Sequence, residues 1–194
     1  MLFRSTNHHF LEHNDTTKKF YGIIPIEFSA SMLYFHHKGI VQNLIHNLKY
    51  KNHQEVGSLL GKWYAKDLET VSQIQTVSEI IPVPLHKKRL EERGYNQVTT
   101  FCEALSNELK IPYNPDLLYR SRYSKTQTKK DKENRKDIAN SLFDVNFTEA
   151  DHNKHFLLVD DVMTSGATLE SCAKALLKIP NSKVSIVTIA YTLS

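Results

Sequence analysis

The stretch FLLVDDVMTSGAT, residues 156–168, limits the folds open to this chain more than any other feature. An apolar run of strand length is followed by two adjacent acids, Asp160 and Asp161, and then by a short loop that enters a helical pattern. A buried strand that passes directly into a helix is typical of α/β proteins, which bind ligands at the carboxyl ends of parallel strands. We therefore expect a ligand site at the end of this strand.

Strand and helix patterns alternate around this stretch. Apolar residues at helical spacing predict two helices within residues 40–64 and a third that begins near residue 97 and ends before Pro112. The run EIIPVPL predicts a buried strand that stops near Pro82, and the remaining segments predict a strand at 155–159, a helix at 169–179 and a strand at 184–193. This order favours a mostly parallel sheet with crossover helices.

The composition indicates a globular chain of 194 residues, with 24% charged and 10% aromatic residues. Because no apolar stretch approaches the roughly 20 residues of a membrane helix and residues 1–10 lack the apolar core of a signal peptide, we expect a cytoplasmic protein without membrane insertion. The two cysteines, Cys102 and Cys172, are too few for a disulfide scaffold or a four-thiolate zinc site, so buried reduced thiols are favoured. Residues 1–20 are polar and histidine-rich, and we expect an exposed, loose lead-in rather than a metal site.

Positive charge is concentrated in two places. Residues 119–137 contain eight lysines and arginines against three acids, and a second basic group comprises residues 86–89 and Arg93. Such clusters attract phosphates, either on a small ligand or on nucleic acid, although a solvated surface is the simpler interpretation of charge alone. Residues 123–137 hold few large apolar side chains, which predicts a long surface loop with a functional role.

The loop at residues 163–168 has the chemistry of a phosphate site. Gly166 allows a close backbone approach, Thr164, Ser165 and Thr168 supply hydroxyl groups, and the amides of the following helix favour negative charge. The chain has neither GxxxxGK[ST] nor GxGxxG, which argues against a nucleoside triphosphatase and a dinucleotide-binding fold. The two acids would repel a phosphate, so they must contact vicinal hydroxyls or Mg²⁺, and a sugar phosphate satisfies both halves of the motif. An ordinary strand-to-helix turn or a Walker B-like strand are the alternatives.

The motif VDDVMTSGAT resembles the 5-phosphoribosyl-1-diphosphate (PRPP) motif of type I phosphoribosyltransferases. The segments IPVPL, Arg89 and RGYNQ resemble the PVPL…R…RGFNQ signature of the ComF competence-protein family, and IHNLKY is similar to its upstream LKY helix. Members of that family usually begin with a cysteine-rich zinc ribbon. This chain shows none and starts about where the ribbon would end, so a trimmed form, a misassigned start and a natural short form stay open.

The resemblance implies an α/β, type I phosphoribosyltransferase-like fold, a mostly parallel sheet flanked by helices. Within a domain over residues 21–194, a helical hood would span about 21–75 and the core about 76–194. It implies that Asp160 and Asp161 are catalytic and hold the ribose hydroxyls or Mg²⁺, directly or indirectly. The 5-phosphate would be bound by Met163, Thr164, Ser165, Gly166, Ala167 and Thr168. The diphosphate and the closing loop would involve Pro84, Leu85, Arg89, Arg93, Arg120, Lys125, Gln127 and Arg135.

The activity that the resemblance implies is transfer of a 5-phosphoribosyl group from PRPP to an unknown acceptor, with release of diphosphate and with Mg²⁺ as cofactor. The alternatives are a non-catalytic accessory protein of DNA uptake that binds PRPP or single-stranded DNA, and a structural partner of competence-machinery proteins. Four aromatic residues before the core are candidates for an acceptor site, although core packing is favoured for them: Tyr34, Phe35, Trp63 and Tyr64.

Overall fold

The computed structural model describes residues 5–121 and 142–193. The strands in these ranges are β1 (Phe28–Phe35), β2 (Glu79–Pro82), β3 (Leu118–Arg120), β4 (Phe143–Val145), β5 (His155–Met163) and β6 (Lys183–Thr192). The α-helices are α1 (Asp15–Lys18), α2 (Ile40–Tyr50), α3 (Gln54–Leu68), α4 (Lys87–Arg93), α5 (Thr99–Leu109) and α6 (Ala167–Leu176).

A parallel sheet of four strands forms the centre of the molecule, in the order β1-β6-β5-β2. Pro82 of β2 lies opposite Val159 of β5, so the carboxyl ends of these two strands are neighbours. The first part of β5 is fully buried on both faces, and both faces of the sheet are therefore covered by other elements. Strands β3 and β4 pair separately as an antiparallel hairpin.

Two apolar cores lie on opposite faces of the sheet. One joins α2, α3 and α5 to the side chains of Leu157 and Val159, and the other joins α6, the hairpin and Phe20 to those of Phe156 and Leu158. Successive residues of β5 thus supply the two cores alternately, as the period of a strand requires. The fold is the expected α/β class with a mostly parallel sheet between helices.

Helices α3 and α5 approach each other closely because α3 carries glycine at the contact. A Cβ built on Gly61 would lie 2.6 Å from the Cβ of Ala104 and 2.7 Å from the carbonyl oxygen of Phe101. A Cβ on Gly57 would collide with the hydroxyl of Thr100. Since any side chain at these positions would force the helices apart, the bare backbone of α3 sets their separation.

Several predictions from the sequence are confirmed. Helices α2, α3, α5 and α6 and strands β2, β5 and β6 all occur where the patterns indicated, within a few residues at each end. Both cysteines are buried free thiols.

Separately, residues 5–121 and 142–193 contain no helix that is long and apolar enough to span a bilayer.

Strand β1 was not predicted, although it belongs to the region expected to form a helical hood. Its sequence FSASMLYF lacks a continuous apolar run, because Ser29 and Ser31 interrupt it. Both serines are fully buried, and the hydroxyl of Ser31 lies 2.5 Å from that of Thr188 on β6. A hydrogen bond between neighbouring strands thus replaces the apolar contact that is typical of a buried strand. Residues 21–75 therefore contribute a strand to the central sheet as well as two helices.

The prediction of a loose, exposed lead-in over residues 1–20 is wrong for residues 5–20. His8 and His9 are only 2% and 7% exposed, and Phe20 is 1% exposed. The buried side chain of Asn14 accepts from the backbone amides of Thr16 and Thr17 and donates to the carbonyl of Ser29, 2.8 Å away. This segment is fixed mainly by polar side chains, which leave no hydrophobic period in the sequence.

Candidate functional site

The paired acids lie at the carboxyl edge of the sheet, as expected. Strand β5 continues through both of them, so that Asp160 lies opposite Thr188 and the strand ends at Met163. Asp161 is 5% exposed and Asp160 is half-buried. The amide of Asp161 donates to Oδ1 of Asp160 at 2.8 Å, which fixes the first carboxylate against the backbone.

Asp160 is a strongly perturbed acid. Although some of its surface is exposed, its carboxyl group is surrounded by protein, and this desolvation, followed by the charge of Asp161, raises its pKa to about 8. The amide of Asp161 and the ammonium of Lys49 oppose the shift without cancelling it. The free protein therefore holds Asp160 mainly protonated at neutral pH. Shifted acids of this kind occur often at functional sites.

Lys49, at the end of α2, lies beside the acids although it is far from the DDVMTSGAT motif in the sequence. Its Nζ lies 2.8 Å from Oδ2 of Asp161, and the two side chains are 23% and 7% exposed. The contact is an ion pair rather than a directional hydrogen bond, since Oδ2 of Asp161 receives none from the described residues. The only sequence signal for Lys49 was its place in the LKY segment.

The loop that follows β5 has an open surface. Gly166 has φ of +85°, the left-handed region that favours glycine, and it precedes the first turn of α6. Thr164, Ser165, Ala167 and Thr168 are all exposed. The amide of Ala167 makes a long contact of 3.4 Å with Oγ of Ser165, and the first amides of a helix have no partner within the helix itself. The loop and the helix start can therefore accept an anion from solvent.

The turn after β2 lies beside the acids. The amide of Val83 donates to the carbonyl of Val159 at 2.8 Å, one residue before Asp160. The side chain of Asn96, in the RGYNQ segment, donates to the carbonyl of Val83 at 2.9 Å and holds the turn from the other side. Pro84 and Leu85 continue from this point and are half-buried.

Helix α4 divides the residues that were expected to bind diphosphate. Arg89 and Arg93 line a cavity of about 380 Å³ together with Lys49 and Tyr50. Pro84, Leu85 and Arg120 instead line a cavity of about 660 Å³ that also contains His86, Lys87 and Leu90. Lys125, Gln127 and Arg135 lie outside the described residues. The structure thus brings the expected cations to two sides of one helix rather than to one cluster.

A third cavity of about 370 Å³ adjoins the acids on the other side of Lys49. Its lining includes Asp161, Thr164, Phe35, His46 and Tyr50. Of the four aromatic residues considered for an acceptor site, Phe35 lines this cavity, while Tyr64 is fully buried in the core. Trp63 is 45% exposed and lines a separate groove, and Tyr34 packs against the core under α6.

The N-terminal segment forms a wall of the loop, which the sequence did not indicate. A Cβ built on Gly166 would lie 3.4 Å from the ring of Phe20 and 3.7 Å from the Cβ of Lys19. Tyr191 of β6, the register partner of Met163, completes the wall.

The acids fit a magnesium ion only together with a ligand. Among the described residues there is no group of three or more histidine, cysteine, aspartate or glutamate side chains that could hold a metal. Mg²⁺ commonly binds through one or two carboxylates together with phosphate oxygens and water, and Asp160 and Asp161 supply such a pair.

Comparisons with known proteins agree with this geometry. Residues 99–194 match the model of the phosphoribosyl transferase domain. The chain is 29% identical over 153 residues to the DNA utilization protein YhgH of Shigella flexneri, an alignment that covers 77% of this chain and 66% of that protein. It is 28% identical over 147 residues to Competence protein F of Haemophilus influenzae, covering 74% of this chain and 64% of that protein.

Competence protein ComFC of Bacillus subtilis is 32% identical over 99 residues, which is 51% of this chain and 38% of that protein. The alignments thus span slightly less than two thirds of the first two relatives and a smaller part of the third. With the domain match and the parallel sheet that carries the DDVMTSGAT loop, they show that this chain is similar to the ComF competence proteins and that its residues 99–194 match the phosphoribosyl transferase domain.

Proposed function

We propose that this protein binds PRPP and transfers its 5-phosphoribosyl group to an acceptor. The observation that carries the proposal is the continuity of strand β5: two carboxylates are followed directly by an exposed turn at a helix start, beside the turn after β2. A sugar that carries phosphates at both ends needs this order of groups, with hydroxyl acceptors between two anion sites. The proposed chemistry, like the two free thiols, fits a cytoplasmic protein.

In this proposal Asp160 and Asp161 hold the two ribose hydroxyls. An ionised carboxylate accepts hydrogen bonds from hydroxyl groups, so binding favours the ionised form of Asp160 and releases its proton. Mg²⁺, when bound, would neutralise charge on the departing diphosphate, with Asp160 and Asp161 as its protein ligands. Lys49 balances the charge of Asp161 when no ligand is bound.

The loop at residues 163–168 holds the 5-phosphate through its backbone amides and through Thr164, Ser165 and Thr168. The diphosphate then points toward Pro84 and Leu85, since their turn is adjacent to the acids. In the reaction the bond between the anomeric carbon and diphosphate oxygen breaks, and its electron pair leaves with diphosphate. A nitrogen of the acceptor forms the new bond at a carbon with oxocarbenium character, and water must be kept out.

Titration of the protein with PRPP in the presence of Mg²⁺ tests the binding step. We compare wild type with Asp160→Asn/Asp161→Asn, which preserves shape, and with Asp144→Asn, which removes an exposed carboxylate on β4 that pairs with Lys178. The double variant should bind about 10-fold to 100-fold more weakly, as expected for the loss of charge-assisted hydrogen bonds, and the control should match wild type. Equal affinity of wild type and the double variant would overturn the assignment.

Diphosphate release from PRPP with a panel of nucleobases and amines tests the transfer step. A signal that requires both an acceptor and the two acids supports the enzyme. PRPP binding without release for any member of the panel favours the second candidate, a non-catalytic accessory protein.

That second candidate is supported by the names of the relatives, which describe DNA utilization and competence, and by the surface of α4. Lys87, Lys88 and Arg89 are exposed there, and the guanidinium of Arg93 lies 4.9 Å from the ring centroid of Tyr50. Cations beside an aromatic ring suit single-stranded DNA. Salt-sensitive binding of an oligonucleotide that is unchanged in the double aspartate variant would support this role, and its absence would exclude it.

A further inference from the structure

The proposed phosphate loop has no cation of its own. Residues 163–168 are Met-Thr-Ser-Gly-Ala-Thr, without lysine or arginine. A phosphate monoester carries a charge of about −1.5 to −2 at neutral pH, whereas a helix start offers the equivalent of roughly half a positive charge. The two nearby acids add negative charge. Balancing the charge of a phosphate at this loop therefore requires a cation from another part of the chain.

The segment that ends α1 supplies one. The Cβ of Lys19 lies 3.7 Å from the position that a Cβ on Gly166 would occupy, so the lysine stem leaves the backbone next to the centre of the loop. The side chain of Lys19 is half-buried, while that of the preceding Lys18 is exposed and pairs with Asp15 at 3.0 Å. Two adjacent lysines thus have different surroundings, and the side chain of Lys19 begins beside the loop.

The ammonium group of Lys19 lies near the residue of β6 that neighbours the start of the loop. Its Nζ lies 6.0 Å from the ring centroid of Tyr191, over the face of the ring. Tyr191 is the register partner of Met163, the first residue of the loop. A flexible four-carbon stem that begins beside Gly166 and currently reaches Tyr191 can reach an anion between these two residues.

The backbone around Lys19 is held firmly. The ring of Phe20 is buried against Gly166, and the side chain of Asn14 fixes the start of α1 through its contacts with Thr16, Thr17 and Ser29. The lysine is therefore attached to a fixed part of the domain, so the entropy lost on pairing with an anion is confined to its own side chain.

We infer that Lys19 binds the 5-phosphate of the sugar and selects phosphorylated over unphosphorylated ribose. The inference rests on the proposed function, because it concerns the same loop. It adds a residue from outside the DDVMTSGAT motif and makes the N-terminal segment part of the binding site.

The test compares Lys19→Met, which keeps the apolar stem, with Lys18→Met as a matched control and Lys19→Arg as a conservative variant. Calorimetry with PRPP, with ribose 5-phosphate and with inorganic diphosphate measures affinity. Lys19→Met should bind PRPP and ribose 5-phosphate about tenfold more weakly, while its affinity for diphosphate stays at the wild-type value. Lys19→Arg should restore most of the loss, the dependence on salt should weaken in Lys19→Met, and Lys18→Met should behave as wild type.

The outcomes separate the two proposals. If wild type binds ribose 5-phosphate and Lys19→Met binds it equally well, the role of Lys19 is wrong while the phosphate loop stands. If wild type binds neither PRPP nor ribose 5-phosphate, both fall. An equal loss of affinity for all three ligands, or a lowered melting temperature without restoration by Lys19→Arg, would show a structural role and overturn the inference.

Discussion

The two ends of strand β5 carry polar clusters of opposite character. At the amino end, both ring nitrogens of His155 are hydrogen-bonded at 2.8 Å, to the hydroxyl groups of Thr76 and Ser185. The neighbouring Lys154 lies between Glu79 and Asp151. At the carboxyl end, two adjacent carboxylates share Lys49 as their neighbouring cation, and the pKa of Asp160 is raised to about 8.

The difference separates polar residues whose partners all lie within the protein from polar residues for which we propose a ligand. Every donor and acceptor of the His155 ring has a partner within the protein, so this end gains nothing from a further molecule. The carboxyl end holds two adjacent carboxyl groups in a partly desolvated place beside Lys49, and ionising Asp160 there costs free energy unless hydroxyl groups or a cation arrive. We call the amino end of β5, around His155, the completed end because its polar groups are paired. The carboxyl end, at Asp160 and Asp161, is the incomplete end.

The largest effect should follow removal of the cation at the incomplete end. Lys49→Met leaves the buried carboxylate of Asp161 without its ion-pair partner, and we expect a loss of about 4 kcal/mol in the free energy of unfolding at pH 8, measured with urea. In Lys49→Met/Asp161→Asn most of the loss should return, because no uncompensated charge remains.

Lys174→Met is the matched control, since its pair with Glu170 is on the surface of α6 and should contribute below about 0.5 kcal/mol. A loss no greater than that of the control would mean that the acids do not need Lys49.

At the completed end, His155→Ala should lower the free energy of unfolding by about 3 kcal/mol, because it opens a void and removes the hydrogen-bond partner of the buried Ser185 hydroxyl. Burial also lowers the pKa of His155 below its ordinary value of 6.5. The unfolded chain therefore takes up this proton first, and the wild type should lose stability as the pH falls below 6.5.

His155→Gln, which can keep one hydrogen bond, should fall between wild type and the alanine variant and should weaken the acid dependence. The exposed His13→Ala is the control. Equal acid sensitivity of wild type and His155→Gln would assign the effect to the other buried histidines, His8 and His9, whose pKa values are also lowered by burial.

The smallest change in the free energy of unfolding should come from Asp160→Asn, and it should be a gain rather than a loss. The folded-state pKa of Asp160, about 8, exceeds its ordinary value of 3.8. The contribution of Asp160 to the stability of the wild type is therefore fully present below about pH 4 and is lost as the pH rises to 8. The variant lacks this dependence, and we expect it to gain about 2 kcal/mol relative to wild type between pH 4 and pH 8, after allowance for partial solvent screening. A constant difference across this range would contradict the raised pKa.

The sequence predicted the local structure around the candidate site most closely where the segments are consecutive in the chain. Strand β5, the acids, the loop and α6 follow one another within residues 155–176, and local periodicity and a single glycine suffice to define them. Lys49 and Lys19 come from distant segments, and no local pattern shows which of many lysines will face an acid or an anion. The roles assigned to the site residues stay predictions.

Helix α4 shows a different limit. Its residues KKRLEER have no apolar stripe and were interpreted only as a basic patch, although Gly94, with φ of +76°, is a normal helix end. Once the helix is recognised, Arg89 and Arg93 fall one turn apart on one side, and Lys87 and Leu90 fall on the other. The division of the cations between two cavities follows from this spacing.

Gly61 lies outside the proposed binding site, yet it limits which substitutions this protein can tolerate. Helix α5 begins just after Asn96, the residue whose side chain holds the turn that follows β2. A methyl group at Gly61 would push α5 away from α3, and the displacement would be passed through Asn96 to Val83 and the turn that is proposed to face diphosphate. The position of the turn after β2 thus depends on the contact between α3 and α5. Random mutagenesis that seeks activity on new acceptors should leave this contact unchanged.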